Sequence, residues 1–212
     1  MSNQYSDAPK LSICIATYNR GAHIGETLDS ILKQITSEVE LIVVDGSSPD
    51  NTKEVMEKYL LIHPEIHYFR EQVNSGIDID FDKAVGYARG EYCWLMTDDD
   101  LLHPSAISTV LSVLKGGSEL IIVNSEVRSK DFSILIQDQL LAHGSGGEYG
   151  YSERERLFIL AAKYLSYIGC VVINRACWLS RDRASYFGTL FVHVGVIFQS
   201  PPIERIKVID KP

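Results

Sequence analysis

Short, continuous apolar runs alternate with amphipathic stretches through the first 123 residues. The apolar runs predict buried strands near 11–16, 41–44, 66–69, 91–97 and 120–123. Apolar positions at helical spacing, with caps or breakers at their ends, predict helices near 22–34, 49–61, 80–89 and 103–114. Strands separated by helices in this way are typical of an α/β fold. We therefore predict a mostly parallel central sheet with helices on both faces.

The pattern is less regular after residue 124. Apolar runs predict strands near 132–136, 170–173 and 203–209, and helices are predicted near 152–164 and 188–199. Residues 142–150 (AHGSGGEYG) hold four glycines in nine positions, which favours a flexible loop that could act as a lid. We interpret 1–124 and 125–212 as two halves of one domain.

Polar side chains follow the predicted strands at their carboxyl ends. Thr17 and Asp45 end the first two strands, and Asp98, Asp99 and Asp100 follow the central one. Ligands in open α/β sheets bind beyond these ends, so one crevice could collect all five residues. Three adjacent carboxylates repel one another, and a hard cation such as Mg²⁺ or Mn²⁺ would relieve that cost. The alternative is a solvated acidic turn or a helix cap.

Composition narrows the class of partner. The formal net charge is −8, which argues against nucleic acid or an anionic membrane as the main partner. The four cysteines form no CxxC pair and are expected to fill the core in a reducing compartment. Residues 1–10 lack the apolar core of a signal peptide, and no apolar run reaches the length of a membrane span. The sequence therefore predicts a cytoplasmic protein with at most peripheral contact to the inner face of the membrane.

Four motifs occur in an order and at distances that resemble the family 2 glycosyltransferases with the GT-A fold. They are 12–20 (SICIATYNR), 43–52 (VVDGSSPDNT), 74–76 with 88–92 (NSG and ARGEY), and 97–100 (TDDD), the last being similar to the family's DxD-type motif. The resemblance covers about the first 115 residues well. It implies a nucleotide-sugar-binding first half and an acceptor-side second half.

The resemblance also implies an activity and a set of partners. A metal-dependent inverting enzyme of this family moves a sugar from a nucleotide-diphosphate donor to a hydroxyl of a saccharide or lipid-linked saccharide. An oligomeric state is compatible with this activity. Asp99 and Asp100 would hold Mg²⁺ or Mn²⁺, and the leaving diphosphate would be stabilised there. The donor-binding residues would be Thr17, Tyr18, Asn19, Arg20, Asp45, Ser47, Asn74, Gly76, Asp82 and Asp98. For Asp45 the alternative is a turn in which its side chain bonds the following backbone.

The chain departs from the family pattern at two places. Phe81 and Asp82 stand where an arginine and an asparagine are common. The acidic segment 78–82 (DIDFD), together with Trp94 and the aspartate triplet, is similar to the abequosyltransferase-like branch, which acts in bacterial surface polysaccharide synthesis. The helix-capping role of these aspartates is the alternative to a binding role. The acidic base that usually follows the DxD motif is missing. His193 stands at about that distance, with Asp182 as a second candidate for the base. A core histidine and a solvated turn are their respective alternatives.

Two other functions compete with sugar transfer. A nucleotidyltransferase also uses an α/β sheet and a metal, but the first turn here (YNRG, 18–21) lacks the expected glycine-rich, lysine-bearing loop. A catalytically impaired nucleotide-sugar-binding module is the other alternative, because the usual base is absent.

Overall fold

The computed structural model describes residues 8–212, so residues 1–7 of the segment 1–10, on which the signal-peptide expectation rests, lie outside the described residues. Strands and helices alternate through the first half. They are β1 (Leu11–Thr17), α1 (Ile24–Leu32), β2 (Val39–Asp45), α2 (Thr52–Ile62), β3 (Ile66–Arg70), α3 (Ile77–Tyr87), β4 (Tyr92–Met96), α4 (Ala106–Leu114) and β5 (Leu120–Val123).

The second half adds shorter elements. They are β6 (Val127–Arg128), β7 (Leu135–Gln137), β8 (Gly147–Tyr149), α5 (Arg154–Ala161), β9 (Val171–Asn174), α6 (Arg175–Leu179), α7 (Val192–Phe198) and β10 (Ile206–Ile209). Among residues 8–212, none of the helices combines the length and the apolar character needed to cross a bilayer.

One sheet contains strands from both halves, in the order β3-β2-β1-β4-β9-β5-β10-β8. The pairs β3–β2, β2–β1, β1–β4 and β5–β10 are parallel. β9 runs antiparallel to both β4 and β5, and β8 runs antiparallel to β10. The predicted mostly parallel α/β sheet is therefore confirmed. The boundary between two functional halves at residue 124 stays a prediction.

Hydrophobic packing covers both faces because successive strand residues point to opposite sides. On β1, Ile13 and Ile15 face the cluster that includes Ile24 of α1, while Cys14 faces the cluster that includes Phe81 of α3. The first cluster also takes the buried faces of α2 and α4, and the second takes those of α5, α6 and α7. All four cysteines are free thiols.

The register of the parallel strands positions the crevice. Thr17 at the end of β1 lies directly beside Asp45 at the end of β2. On the other side of β1, Ile15 pairs with Met96, so the residues that follow β4 emerge at the same edge. Because all three strands are parallel, their carboxyl ends collect Thr17, Asp45 and the aspartate triplet there, as the sequence predicts.

The second half differs from prediction where local contacts override the apolar pattern. The strand predicted at 132–136 is only the exposed β7, which pairs with β6 outside the main sheet. The predicted glycine-rich loop contains β8, which pairs with β10. The helix predicted at 188–199 begins at Val192, because Leu190 adopts a φ of 68° that no helical residue has.

Candidate functional site

The turn after β1 is bonded to the turn after β2 and to the start of α2. The amide of Asn19 donates to Ser48 Oγ at 2.9 Å, and the amide of Arg20 donates to Thr52 Oγ1 at 3.1 Å. Asn19 adopts a left-handed φ of 59°, a conformation that asparagine tolerates better than most residues. The backbone of this turn is therefore held, while the side chains of Tyr18 and Arg20 remain exposed.

Asp45 is fully buried, and both of its carboxylate oxygens have partners within the protein. Oδ1 accepts from the Ser48 amide at 2.7 Å, and Oδ2 accepts from the Tyr68 hydroxyl at 2.6 Å. Arg70 Nε lies 3.4 Å from Oδ2. Burial, followed by the bond to Asp45, raises the pKa of the Tyr68 hydroxyl. In this arrangement Asp45 closes a turn, as in the alternative raised from the sequence, and its role in donor binding stays a prediction.

Asp98 is the buried member of the aspartate triplet. Arg20 Nε lies 3.5 Å from Asp98 Oδ1, and the same guanidinium lies 3.8 Å from Asp99 Oδ2. Burial is the main cause of a raised pKa for Asp98, and repulsion from Asp99 adds to it. The Thr17 hydroxyl and the Arg20 guanidinium oppose that rise because they favour the ionised form. Arg20 is thus the counter-ion that the first turn supplies to the triplet.

Asp99 and Asp100 differ in how firmly they are held. Asp99 is exposed, whereas Asp100 Oδ2 accepts a hydrogen bond from the Thr97 hydroxyl. The backbone oxygen of Asp100 accepts from Thr27 Oγ1 at 2.9 Å, which ties the segment to α1. Burial and then the nearby Asp100 carboxylate raise the pKa of the Tyr167 hydroxyl. Sequence reasoning missed Thr27 and Tyr167, because nothing in the local pattern connects either residue to the triplet.

The oxygen donors of the triplet fit a hard divalent cation. Within residues 8–212, no group of three or more His, Cys, Asp or Glu side chains is gathered closely enough to hold a metal by itself. Mg²⁺ typically takes one or two protein carboxylates and completes its shell with substrate phosphates and water. The exposed Asp99 and the positioned Asp100 match that requirement.

The loop between β3 and α3 lies beside the second turn. Ser47 Oγ donates to the Gln72 backbone oxygen at 3.5 Å, and Ser47 has a φ of 66°. Asn74 Oδ1 accepts from the Gly76 amide at 2.8 Å, and Gly76 has a φ of 90°, which glycine adopts without strain. Ser47, Asn74 and Gly76 therefore shape the backbone at this edge, and their contact with a donor stays a prediction.

Asp78 and Asp82 of α3 hold the second half of the chain. Asp78 accepts from the amides of Leu190 at 2.9 Å and Val192 at 3.2 Å, and so caps the start of α7. Asp82 Oδ1 accepts from Trp178 Nε1 at 2.8 Å and lies 2.7 Å from Arg183 Nε. The predicted donor-binding role of Asp82 is therefore accompanied by a structural one that the sequence pattern did not reveal.

The two candidate bases are engaged elsewhere. His193 is 1% exposed, and its Nε2 donates to the Leu165 backbone oxygen at 2.6 Å. Burial lowers the pKa of its imidazole. Asp182 is exposed, and its Oδ1 accepts from the Ser185 amide at 3.1 Å. The structure thus gives both residues the structural roles that were their alternatives in the sequence, a core histidine and a turn aspartate. Their assignment as the catalytic base stays a prediction.

A family comparison agrees with the motifs and the sheet. The model for glycosyl transferase family 2 matches residues 12–184. The chain belongs to this family. The match covers β1 to the segment beyond α6, so it includes both turns, the aspartate triplet and α3. Of the three functions weighed from the sequence, membership of family 2 favours sugar transfer over nucleotidyl transfer.

Curated relatives of this family 2 chain are named as glycosyltransferases. Abequosyltransferase RfbV of Salmonella typhimurium is 27% identical over 212 residues, covering 90% of this chain and 62% of that protein. The GalNAc(5)-diNAcBac-PP-undecaprenol beta-1,3-glucosyltransferase of Campylobacter jejuni is 30% identical over 131 residues, covering 59% of this chain and 42% of that protein. The chain therefore spans less than two thirds of the length of either relative.

Solved structures support the same fold. TarS 1–349 of S. aureus, in complex with UDP, superposes with a TM-score of 0.72 at 20% identity, covering 96% of this chain and 58% of that one. The mannosyltransferase PcManGT of Pyrobaculum calidifontis, in complex with GDP-Man and Mn²⁺, superposes with a TM-score of 0.61 at 17% identity, covering 97% of this chain and 58% of that one. The expected GT-A type fold is confirmed.

Proposed function

We propose that this chain binds a nucleoside-diphosphate sugar and transfers the sugar, with inversion, to a hydroxyl of a saccharide or lipid-linked saccharide. The observation that supports this most is the meeting of Arg20 with Asp98 and Asp99 at the ends of neighbouring parallel strands. A guanidinium and a set of carboxylates at one strand edge provide a cation for phosphate and ligands for a metal. The relatives are named as an abequosyltransferase and as a glucosyltransferase of an undecaprenol-linked saccharide, and the product proposed for this chain is a bacterial surface polysaccharide.

Each site residue has a chemical task in this proposal. Asp99 and Asp100 would hold Mg²⁺ or Mn²⁺, which offsets the negative charge gained by the departing diphosphate. Arg20 binds a phosphate oxygen, for which a guanidinium is well suited, and leaves the carboxylates it now contacts. Asp98, which is buried at the strand edge, accepts a hydrogen bond from a ribose hydroxyl. Tyr18, which is exposed on the first turn, flanks the nucleoside.

Binding calorimetry tests the proposal. Wild-type chain is titrated with UDP, CDP, GDP and ADP, each with Mn²⁺ and with EDTA. We expect at least one nucleotide to bind, with an affinity at least about tenfold lower in EDTA and in Asp99→Asn. Asp138→Asn is the matched control, because Asp138 is an exposed aspartate in the second half. Equal binding by wild type and Asp99→Asn in Mn²⁺ would contradict the proposal.

A binding module without transfer activity is the second candidate. It is favoured by one observation, the engagement of both His193 and Asp182 in structural contacts. The two functions differ in turnover. If the matching nucleotide sugar binds with Mn²⁺ but is neither transferred nor hydrolysed, including in the presence of a lipid-linked saccharide, the chain is a binding module.

A further inference from the structure

The segment 78–82 places three aspartates on the first turns of α3, and only two of them have hydrogen-bond partners that explain their position. Asp78 caps α7, and Asp82 bonds Trp178. Residues 78 and 82 are four apart and share a helix face, so they meet the second half of the chain together. Asp80 lies between them and faces the end of β2 instead, as its contact with Gly46 shows.

Asp80 is buried without the partners that a buried carboxylate needs. It is 2% exposed, and its Oδ1 accepts no hydrogen bond from any residue in the range 8–212. The nearest cation, Lys83 Nζ, lies 3.8 Å away, beyond hydrogen-bond distance. Burial raises the pKa of Asp80 to about 6, Glu71 and Asp45 add to the rise, and Lys83 opposes it. A buried acceptor left in this state costs free energy unless a ligand completes it.

Gly46 brings this carboxylate close to the backbone at the strand end. A Cβ on residue 46 would lie 2.5 Å from Asp80 Oδ2, so only glycine allows the observed approach. The same Cβ would lie 3.6 Å from Oδ1 of the exposed Asn74, so the side chain of Asn74 is on the same side of Gly46. Asp80 is therefore seated at the edge of the sheet where ligands of this fold class bind.

Asp45, the neighbouring acid, already accepts a hydrogen bond on each of its carboxylate oxygens. Its Oδ1 is bonded to the Ser48 amide and its Oδ2 to the Tyr68 hydroxyl. Of the two buried carboxylates at this strand end, Asp80 is the one with an unused oxygen. A ligand that needs an acceptor here would find it on Asp80 without breaking an existing hydrogen bond.

We propose that Asp80 is a nucleoside-binding residue, whose carboxylate accepts a hydrogen bond from an N–H or hydroxyl group of the donor's nucleoside when Asn74 moves aside. The inference rests on the proposed function, since it assumes that the donor is a nucleotide. It assigns to Asp80 part of the recognition that the family resemblance implies for Asp45. Because the bond favours the ionised form of Asp80, binding near pH 6 releases a fraction of a proton.

Calorimetry of Asp80→Asn tests the role, with Asp138→Asn as the matched control. The titrant is the nucleoside diphosphate that binds wild type best, with Mn²⁺ at pH 6.0, in two buffers of different ionisation enthalpy so that proton release can be measured. We expect Asp80→Asn to bind about 10- to 100-fold more weakly, as the loss of a hydrogen bond to a charged group predicts, and to lose the proton release attributable to Asp80. Asp138→Asn should match wild type in both quantities.

Inorganic pyrophosphate with Mn²⁺ separates nucleoside recognition from phosphate recognition. Its affinity should be the same for wild type and Asp80→Asn, because the proposal places Asp80 at the nucleoside and not at the diphosphate. If Asp80→Asn binds the nucleotide as wild type does, or weakens pyrophosphate to the same extent, the role of Asp80 is overturned while the proposed function stands. If wild type binds none of the four nucleoside diphosphates, the proposed function itself fails.

Discussion

The indole nitrogen of Trp178 donates a hydrogen bond to Asp82 Oδ1 at 2.8 Å, across 96 positions of sequence. Trp178 is fully buried, and Asp82 is also paired with Arg183 at 2.7 Å. The Trp178 bond joins α3, which borders the strand ends, to α6, and the Arg183 pair joins α3 to the segment after α6. Because Asp78 joins the same helix to α7, the position of the second half relative to the crevice depends on the acidic face of α3.

Trp178→Phe should destabilise the protein more than Trp94→Phe does. The first change removes a donor to a charged carboxylate, whereas the second removes a bond from Trp94 Nε1 to the neutral Gly169 oxygen at 2.9 Å. Hydrogen bonds to charged groups contribute about 1.5–3 kcal/mol against about 1 kcal/mol for neutral ones. Urea unfolding at pH 7.5 measures both free energies. A larger loss for Trp94→Phe would contradict the structural role given to Asp82.

Arg20→Gln should have opposite effects on two ligands. Removing the guanidinium that lies beside Asp98 and Asp99 frees these carboxylates, so Mn²⁺ alone should bind several-fold, or about 1 kcal/mol, more tightly. A nucleoside diphosphate with Mn²⁺ should bind about tenfold or more weakly, because the phosphate loses a charged donor. Calorimetry with each ligand measures the two effects.

Arg154→Gln is the control for that experiment, because Arg154 is an exposed arginine on α5 that stacks on the Tyr151 ring. It should change neither affinity. If Arg20→Gln strengthened both ligands, the guanidinium would act only as a counter-ion of the triplet and not as a phosphate-binding group.

Much of the strand edge was predictable because the parallel register is a consequence of order and length. Continuous apolar runs identify β1, β2 and β4, and the polar residue after each run is then expected at one edge. The partners of those residues were not predictable. Tyr68 comes from a neighbouring strand and Tyr167 from the second half, and both reach an aspartate through side-chain lengths and backbone angles that periodicity does not encode.

The second half was harder to predict because its segments are short and are stabilised by distant partners. β8 lies within a glycine-rich run and is recognisable only through its pairing with β10. The start of α7 depends on the carboxylate of Asp78, more than 100 positions earlier in the chain. A local pattern contains neither piece of information, so the short strand within the predicted loop was missed and the predicted start of the helix was wrong.

Asp80→Asn should stabilise the protein at neutral pH. The folded-state pKa of about 6 exceeds the ordinary value of 3.8, so the folded state binds the extra proton and loses stability as pH rises from about 4 through 6. The amide of asparagine does not ionise, so the variant lacks this loss of stability. Its free energy of unfolding should exceed that of wild type by up to about 3 kcal/mol at pH 7.5, and the difference should approach zero near pH 4. Urea unfolding at the two pH values measures it.

The stability gain of Asp80→Asn over wild type is compared with that of Asp138→Asn, at an exposed aspartate, and should exceed it at pH 7.5. Since His193 is present in all three proteins, its own titration cancels in these differences. A destabilised Asp80→Asn at pH 7.5 would show that Asp80 contributes to folding, which would argue against a carboxylate kept for a ligand.

His193→Gln distinguishes a base from a core residue. Loss of a general base lowers the turnover number by about 10²- to 10⁴-fold, whereas a glutamine amide can still donate to the Leu165 oxygen. The structural role predicts turnover within a few-fold of wild type. Burial holds the imidazole pKa below its usual value of 6.5, so the unfolded state binds more protons as pH falls below that value and wild type loses stability there.

The variant should lose less stability than wild type between pH 7 and pH 5, because glutamine does not titrate. His143→Gln, at an exposed histidine, is the control and should leave turnover unchanged. Turnover and unfolding are independent readouts, so each can contradict one assignment. A large loss of turnover with a wild-type stability profile would identify His193 as the base, acting through Nδ1, which has no hydrogen-bond partner among residues 8–212 while Nε2 donates to the Leu165 oxygen.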